Sequence, residues 1–418
     1  MRFAQLATSL SVLLFATSNA LAIDFLSQFG LEGRYFQEEG DAGQSQENGS
    51  AWAKPELYFE WNDGSDRLTF VGFYRHDEND DERTHGDVRE ANWLHIGDYW
   101  ETRFGVGKVF WGVTESQHLV DIINQTDLVE SPDGEEKLGQ PMLKFSTAQD
   151  QVVLDFFVLP YFRERTFSGP EGRLGLPFSV DVDHARYEAD EEEEHPDIAI
   201  RYAIIGDDFE VSLSHFSGTS REPNWRFNGD YANPKLIPRY PLIEQTGLVM
   251  QMIAEGWLFK FEGIVRSGFE NTEGEEKRYG AVTTGFEYTQ AGVFGTDADL
   301  GWIMEGLWDE RGEEATSFLE HDVFLGWRWA LNDIDSTEVL FGAIYDPETH
   351  EQLYSIEASR RLFDVFTLNM EVRAFEGGDP LPTTTAERLQ AYADPDPNNK
   401  TGALQNEDYV QLELVYYF

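Results

Sequence analysis

The last ten residues read Tyr409-Val410-Gln411-Leu412-Glu413-Leu414-Val415-Tyr416-Tyr417-Phe418. Counted back in twos, Phe418, Tyr416, Leu414, Leu412 and Val410 form one apolar series. Tyr417, Val415, Glu413, Gln411 and Tyr409 form a mixed series. A period of two marks a β-strand, because successive side chains point to opposite faces. This strand therefore divides an apolar, aromatic environment from a partly polar one.

The same division recurs along the chain. Phe29, Leu31, Gly33 and Tyr35 alternate with a series carrying Glu32 and Arg34. Ile198, Ile200, Tyr202 and Ile204 alternate with a series carrying Arg201. Phe259, Phe261, Gly263 and Val265 alternate with Lys260, Glu262 and Arg266, and Leu368, Met370 and Val372 with Glu371 and Arg373. Charges of both signs on the second face do not suit a dry core, where unpaired polar groups are costly. They suit a wet interior, so these residues are the lumen-facing candidates of a barrel whose other face meets lipid.

No run of about 18 or more apolar residues occurs after residue 22, so any membrane crossing is made by strands rather than helices. Strands are expected near 26–38, 51–62, 66–76, 86–97, 99–112, 140–148, 151–163, 197–205, 208–217, 241–253, 256–268, 277–290, 297–309, 315–330, 336–346, 350–361, 365–375 and 407–418. The count is about eighteen, with about sixteen as the alternative because 86–97 and 99–112 alternate poorly. Connections at Asn62-Asp63-Gly64-Ser65, Gly97-Asp98, Gly206-Asp207 and Glu255-Gly256 read as tight turns. Those at 39–50, 77–85, 113–139, 164–196, 218–240 and 376–406 are long. The expected fold is all-β: one transmembrane antiparallel β-barrel with short periplasmic turns and long extracellular loops, and both termini on the short-turn side. Residues 1–22, with Arg2, an apolar run from Leu10 to Thr17 and a small-x-small site at Ala20-Leu21-Ala22, read as a cleaved signal peptide. The barrel domain is then 23–418.

The chain carries 31 Lys and Arg against 78 Asp and Glu, a net charge of −47. Such acidity excludes general nucleic-acid binding. It does not imply disorder, because the chain is 41% hydrophobic and 14% aromatic. There is no cysteine, hence no disulfide. The acid is concentrated in expected outer loops, at 77–82, 188–194 and 273–276. A solvated outer surface explains these runs most simply. Carboxylate oxygens there also suit Ca²⁺ or Mg²⁺, bridging to lipopolysaccharide phosphates, and a negative mouth gathers cations. No run has EF-hand spacing, so no metal site is assigned.

Residues 108–140 depart most from the strand pattern. From Thr114 to Asp127 the period of two is lost, and Leu119, Ile122, Ile123 and Leu128 are spaced closer to a helical stripe. An apolar stripe in an outer loop needs a surface to pack on, so 113–139 is expected to fold inward against the wall. Glu115, His118, Asp121, Asn124 and Asp127 would then line a pore constriction; a loop that caps the rim without narrowing the pore is the plainer alternative. The arginines of Tyr161-Phe162-Arg163-Glu164-Arg165-Thr166-Phe167 could meet the acids of 115–127.

The abrupt aromatic end resembles the closing strand of Gram-negative outer-membrane β-barrels. The stretches Gly107-Lys108-Val109-Phe110-Trp111-Gly112 and Asp121-Ile122-Ile123-Asn124-Gln125-Thr126-Asp127 resemble a family of porin-like outer-membrane proteins that has no assigned substrate. The resemblance implies an outer-membrane location, contact with outer-membrane lipid and lipopolysaccharide, and Tyr416 and Phe418 as an assembly signal read by the barrel-assembly machinery. It implies a channel for passive diffusion of a small solute, and the acidic mouth would favour cations or neutral solutes. Transport of hydrophobic molecules is the alternative within this class. Outside it stand a barrel-embedded enzyme and a soluble secreted β-protein. Of nine histidines, none sits in a nucleophile motif, and neither G-x-S-x-G nor H-E-x-x-H occurs. No catalytic residue, cofactor or oligomer face is therefore assigned.

Overall fold

The computed structural model describes residues 22–270, 275–315 and 317–418. The signal-peptide reading falls on residues 1–22, outside the described part save for the backbone of Ala22, and so do Glu273 and Gly274 of one acidic run.

Eighteen antiparallel strands among the described residues close into one barrel. They are β1 (Ala22–Phe36), β2 (Glu47–Trp61), β3 (Asp66–Asp77), β4 (Gly86–Ile96), β5 (Trp100–Gly107), β6 (Gln140–Gln149), β7 (Val152–Leu159), β8 (Asp197–Ile205) and β9 (Phe209–Thr219). They continue as β10 (Leu242–Ala254), β11 (Trp257–Glu270), β12 (Glu276–Gln290), β13 (Asp299–Asp309), β14 (Val323–Ala330), β15 (Glu338–Tyr345), β16 (Gln352–Leu362), β17 (Phe366–Glu376) and β18 (Tyr409–Tyr417). The count is therefore eighteen, not sixteen. The weakly alternating segments do form β4 and β5, but a register shift between Val71 and Gly72 displaces β4 against β3 and breaks its period. The largest departures from the expected strand ranges are that β5 ends at Gly107, β7 ends at Leu159, and β14 begins at Val323.

Closure is made by the first and last strands. β1 pairs with β18 from Gln28 opposite Tyr417 to Phe36 opposite Tyr409. Beyond the strand end, Phe418 N–H donates to Ser27 O at 3.0 Å, and Ser27 N–H donates to Phe418 O at 3.2 Å. The Phe418 ring meets Phe25 edge-on at 6.0 Å. Val410, Leu412, Leu414, Tyr416 and Phe418 are all exposed, while Tyr409 and Val415 on the other series are buried. The outer surface is thus an apolar belt, with Phe29, Leu31, Phe259, Trp302, Met304 and Trp329 among its members.

Connections segregate by length. Residues 62–65, 97–99, 150–151, 206–208 and 255–256 turn tightly at one end. Residues 37–46, 108–139, 160–196, 220–241 and 377–408 make long loops at the other. Chain reversal in the tight turns uses left-handed backbone at Asp63, Asp150 and Glu255, each followed or aided by a small or polar neighbour. At the long-loop end, Asn224–Phe227, Leu236–Tyr240 and Arg186–Tyr187 form a small sheet that ties two loops together. The loop 377–408 carries a short helix, α1 (Thr385–Ala393), whose cap is Thr384 with Glu387 three residues on.

The two faces make a direct prediction. Leu412→Arg puts a charge on the lipid side of β18 and should cost about 2–4 kcal/mol if it lies near the bilayer midplane. The measurement is the urea unfolding midpoint in lipid vesicles, and an unchanged midpoint would contradict the assignment of faces.

Candidate functional site: a loop held across the barrel interior

Two wall carboxylates organise the segment 108–139. Glu262 on β11 and Glu305 on β13 are each 0% exposed. Both belong to the series opposite the lipid-facing residues of their strands, and each would be a buried charge without partners. Glu262 Oε1 accepts from Val113 N–H at 2.6 Å, Thr114 N–H at 2.9 Å and Thr114 Oγ1 at 2.7 Å. Its Oε2 accepts from Val120 N–H at 3.3 Å. Glu305 accepts from Glu115 N–H and Ser116 N–H, both at 2.8 Å, and from Ser116 Oγ at 2.6 Å. Hydrogen bonds to an ionised acceptor are roughly twice as strong as neutral ones. The loop needs its donors satisfied and the carboxylates need donors; each settles the other.

Apolar packing reinforces this attachment. Trp111, Val120, Ile122 and Ile123 are buried against inward-facing Met142, Phe157, Phe216, Ile243, Val249 and Ile264, and Leu119 packs on the same cluster. The helical spacing of the stripe does not produce a helix: 108–139 is coil and bends throughout, with isolated bridges. The reason is that its backbone N–H groups are claimed by side-chain oxygens. Trp111 and Gly112 N–H donate to Asp121 Oδ1 at 2.7 and 3.0 Å, and Val109 N–H donates to Asn124 Oδ1 at 2.9 Å. Gly112 is required here, since a Cβ would fall 2.4 Å from the His118 ring.

The far end of the segment is clamped to the opposite arc of the wall. Arg75 Nη2 lies 2.7 Å from Glu130 and its Nη1 2.9 Å from Glu32. Arg83 pairs with Glu32 at 2.9 Å and Asp77 at 2.7 Å, and its Nε donates to Val129 O at 2.8 Å. Arg34 Nη2 donates to Glu130 O at 3.2 Å. Arg89 pairs with Asp127 at 2.6 Å. Removing one member of such a buried network typically costs about 3–5 kcal/mol, because a charge is left unpaired. The loop is therefore fastened to β11 and β13 at one end and to β1, β3 and β4 at the other.

The five expected lining residues separate into two groups. Glu115 and His118 stay partly exposed. Glu115 pairs with Arg328 at 2.8 Å and lies 3.7 Å from Lys260. His118 Nε2 meets Glu135 at 3.0 Å, and its Nδ1 lies 3.7 Å from Glu262. Asp121, Asn124 and Asp127 do not line open space. Asp121 and Asn124 hold the loop's own backbone, Asn124 also donating to Gly107 O and Leu138 O. Asp127 is 0% exposed, paired with Arg89 and accepting from Thr166 Oγ1 at 2.7 Å. Asp121 Oδ1, Asn124 and Asp127, in a segment without helical hydrogen bonds, are taken up by that segment's backbone and clamps.

The eight lumen-facing candidates sit on the inward series. Glu32, Arg34, Lys260, Glu262 and Arg266 are buried by loop contacts or by one another. Arg201 pairs with Glu210 at 2.6 Å. Arg373 joins Glu371, Glu357 and the loop's Asp133 at 2.8, 2.8 and 3.0 Å. The loop arginines meet other partners than expected. Arg163 pairs with Asp87 at 2.7 Å, while Arg165 Nε donates to Gln125 Oε1 at 3.2 Å and feels the charge of Glu222. Sequence reading missed Glu305, Arg328, Glu130 and Asp133. Glu305 carried a signal: it is the lone charge among Ile303, Met304, Gly306 and Leu307.

Acidic runs in the outer loops are partly spent on structure. Asp77 accepts from Asn79 N–H, Asp80 N–H and Asn48 as well as Arg83. Among the described residues no group of three or more His, Asp or Glu is arranged to hold a metal ion.

Burial alone would lower the His118 pKa, but its hydrogen bond to Glu135 and its nearness to Glu262 outweigh this and push it up to about 10. His118 is thus charged at neutral pH. Its attraction for Glu135 and for Glu262 on the wall is full below the unfolded value near 6.5 and is lost as pH rises through about 10. Protease nicking within 115–135 of the folded barrel should rise over that alkaline range in the wild type, and His118→Asn should remove that dependence. Glu262→Ala should accelerate nicking at neutral pH. Each charged hydrogen bond is worth about 1.5–3 kcal/mol, so the rise is on the order of tenfold or more. Wild-type nicking rates in a folded Glu262→Ala barrel would show that Glu262 is not the anchor.

The barrel resembles solved outer-membrane porins. OccAB3 of Acinetobacter baumannii superposes with a TM-score of 0.51 at 8% identity, covering 94% of this chain and 99% of that one. OccK3 (OpdO) of Pseudomonas aeruginosa superposes with a TM-score of 0.50 at 9% identity, covering 94% and 96%. No protein-family model matches the chain, and no curated protein matches it. At this identity the likeness is one of fold: this chain has the closed eighteen-strand architecture of outer-membrane barrels.

Proposed function

We propose that the protein is an outer-membrane channel through which small hydrophilic solutes diffuse passively, narrowed by the inward-held segment 113–139. The observation that carries this reading is the pair of buried wall carboxylates, Glu262 and Glu305, whose oxygens bind the loop's backbone N–H groups together with the hydroxyls of Thr114 and Ser116. A loop fixed by its backbone leaves side chains free to face solute. Barrels of about 16–18 strands leave room for water inside. Charges of both signs meet where the loop approaches the wall: Glu115, Asp133 and Glu135 on the loop, Arg328 and Arg373 on the wall. Such a face orients polar solutes and disfavours apolar ones. The acidic excess of the chain favours cations or neutral solutes over anions.

The protein works in this reading after export across the inner membrane, embedded in outer-membrane lipid with lipopolysaccharide around its long-loop end. No chemical step is proposed for it. The barrel-assembly machinery is proposed to read the terminal strand through Tyr416 and Phe418.

Purified protein in a planar bilayer should show discrete conductance steps under KCl, with a cation-selective reversal potential in a salt gradient. Deleting 115–127 should raise the unit conductance several-fold while heat-modifiable migration persists. An unchanged conductance in the folded deletion would refute the constriction. Deleting Phe418 should lower the outer-membrane level in cells while refolding in detergent is retained; normal levels in cells would refute the assembly-signal reading.

A further inference from the structure

The lipid-facing surface over β2 to β6 carries a depression of about 700 Å³, within the usual range of small-molecule sites, about 300–1,000 Å³. Its lining mixes the two faces of the sheet. Phe70, Tyr74 and Val88 are exposed outward, and Val106 and Pro141 fall in step with exposed Phe104 and Leu143. Phe73 and Asp87 belong to the inward series. Phe73 packs between Trp52 and His85, with the Arg89 guanidinium 4.8 Å over its ring. Asp87 is buried beside Arg89 at 3.3 Å. The hollow therefore touches residues of both series of the sheet.

The hydrogen-bond ladder is irregular at three strand junctions beside it, while β5 and β6 stay paired to Gly107 opposite Gln140. Between β2 and β3 the pairing skips Lys54 and Pro55, and proline has no N–H to give. Between β3 and β4 the register shifts at Val71 and Gly72. Between β4 and β5 the ladder stops at Ala91 opposite Val106, leaving residues 86–90 of β4 beyond its end. Within a membrane, irregular backbone is tolerated only where it is buried in protein or lines a cavity. Here the gap is filled by the end of the inward-held loop. Gly139 sits so close to β4 that a Cβ would fall 2.2 Å from Val88 O. A polar clasp holds it there. Arg163 Nη1 donates to Asp87 Oδ1 and to Gly139 O, both at 2.7 Å, and Gly139 N–H donates to Asp87 Oδ2 at 3.2 Å.

We infer that this breach is a closed lateral portal, through which a single-chain hydrophobe such as a fatty acid passes between the barrel interior and the outer lipid leaflet. The occupant is a molecule with an aliphatic chain because the walls of the hollow are apolar and aromatic and its mouth opens on lipid. Its polar floor consists of groups already paired with one another, so a chain enters without stranding a charge. Opening requires that Arg163 leave Asp87 and Gly139 and that Gly139 N–H and Lys137 O leave Asp87 and Arg89, which frees the loop end that plugs the seam. The seam itself has no ladder to break. This passage is separate from the aqueous path and takes a different class of solute.

The test uses the full mature protein and a fatty acid bearing an environment-sensitive fluorophore. Ala53→Trp fills the hollow from the lipid side, and should weaken saturable probe binding in detergent at least tenfold while leaving ion conductance unchanged. Wild-type binding by this variant would overturn the site. In proteoliposomes, Asp87→Asn and Arg163→Gln each loosen the clasp and should speed probe transfer several-fold. Transfer equal to the wild type in both folded variants would overturn the portal.

Discussion

Closure of the backbone hydrogen-bond ring governs this molecule. A sheet in lipid cannot leave an edge, because each unpaired N–H or C=O there costs several kcal/mol. The chain meets that demand with its two ends: β18 finishes on β1, and Phe418 exchanges both backbone hydrogen bonds with Ser27. Once the ring is closed, alternation forces one series of every strand into lipid and the other inward. The charges that looked scattered along the sequence are thereby gathered in one enclosed space.

That enclosure sets the electrostatic problem solved by the segment 108–139. Inward carboxylates such as Glu262 and Glu305 are too deep to be satisfied by solvent, and the segment cannot satisfy its own backbone as coil. Joining the two removes both costs. Arginines 75, 83 and 89 close the other end with buried ion pairs. Such pairs are weak evidence of net stability but strong determinants of position, since breaking one leaves its partner stranded. The outcome is a loop whose placement is fixed by backbone and hydroxyl contacts at one end and buried ion pairs at the other, with a mixed-charge side-chain surface facing the wall that carries Arg328 and Arg373.

The same closure rule makes the irregular wall between β2 and β6 informative. Proline, a register shift and a truncated ladder occur together there, and protein rather than lipid fills the gap. Apart from a register shift at Ser267 and Phe269 on β11, the irregularities of the ladder gather where the inward loop re-enters the sheet. The loop's end at Gly139 is therefore both a tether and a plug.

Sequence alone determined the class of fold and the assignment of faces, because these rest on a local rule; it narrowed the strand count to about eighteen or sixteen, and the closed ring decided for eighteen. Alternation in steps of two is visible in any ten residues, and lipid on one side makes the contrast sharp. Connection lengths added the sidedness of the loops. Sequence also marked 113–139 as unusual, since an apolar stripe outside the strand period needs a surface. It did not show what each polar residue there would do. Asp121, Asn124 and Asp127 look as available as Glu115 and His118 when read in a line. Only the tertiary structure separates them: Asp121 and Asn124 turn back onto the loop's own backbone at Trp111 N–H and Leu138 O, while Asp127 meets Arg89 on β4. Likewise Glu305 and Arg328 face the loop across some two hundred residues of sequence. Local periodicity fixes which way a side chain points, whereas the groups it meets inside a closed barrel are set by how the ring brings distant strands together.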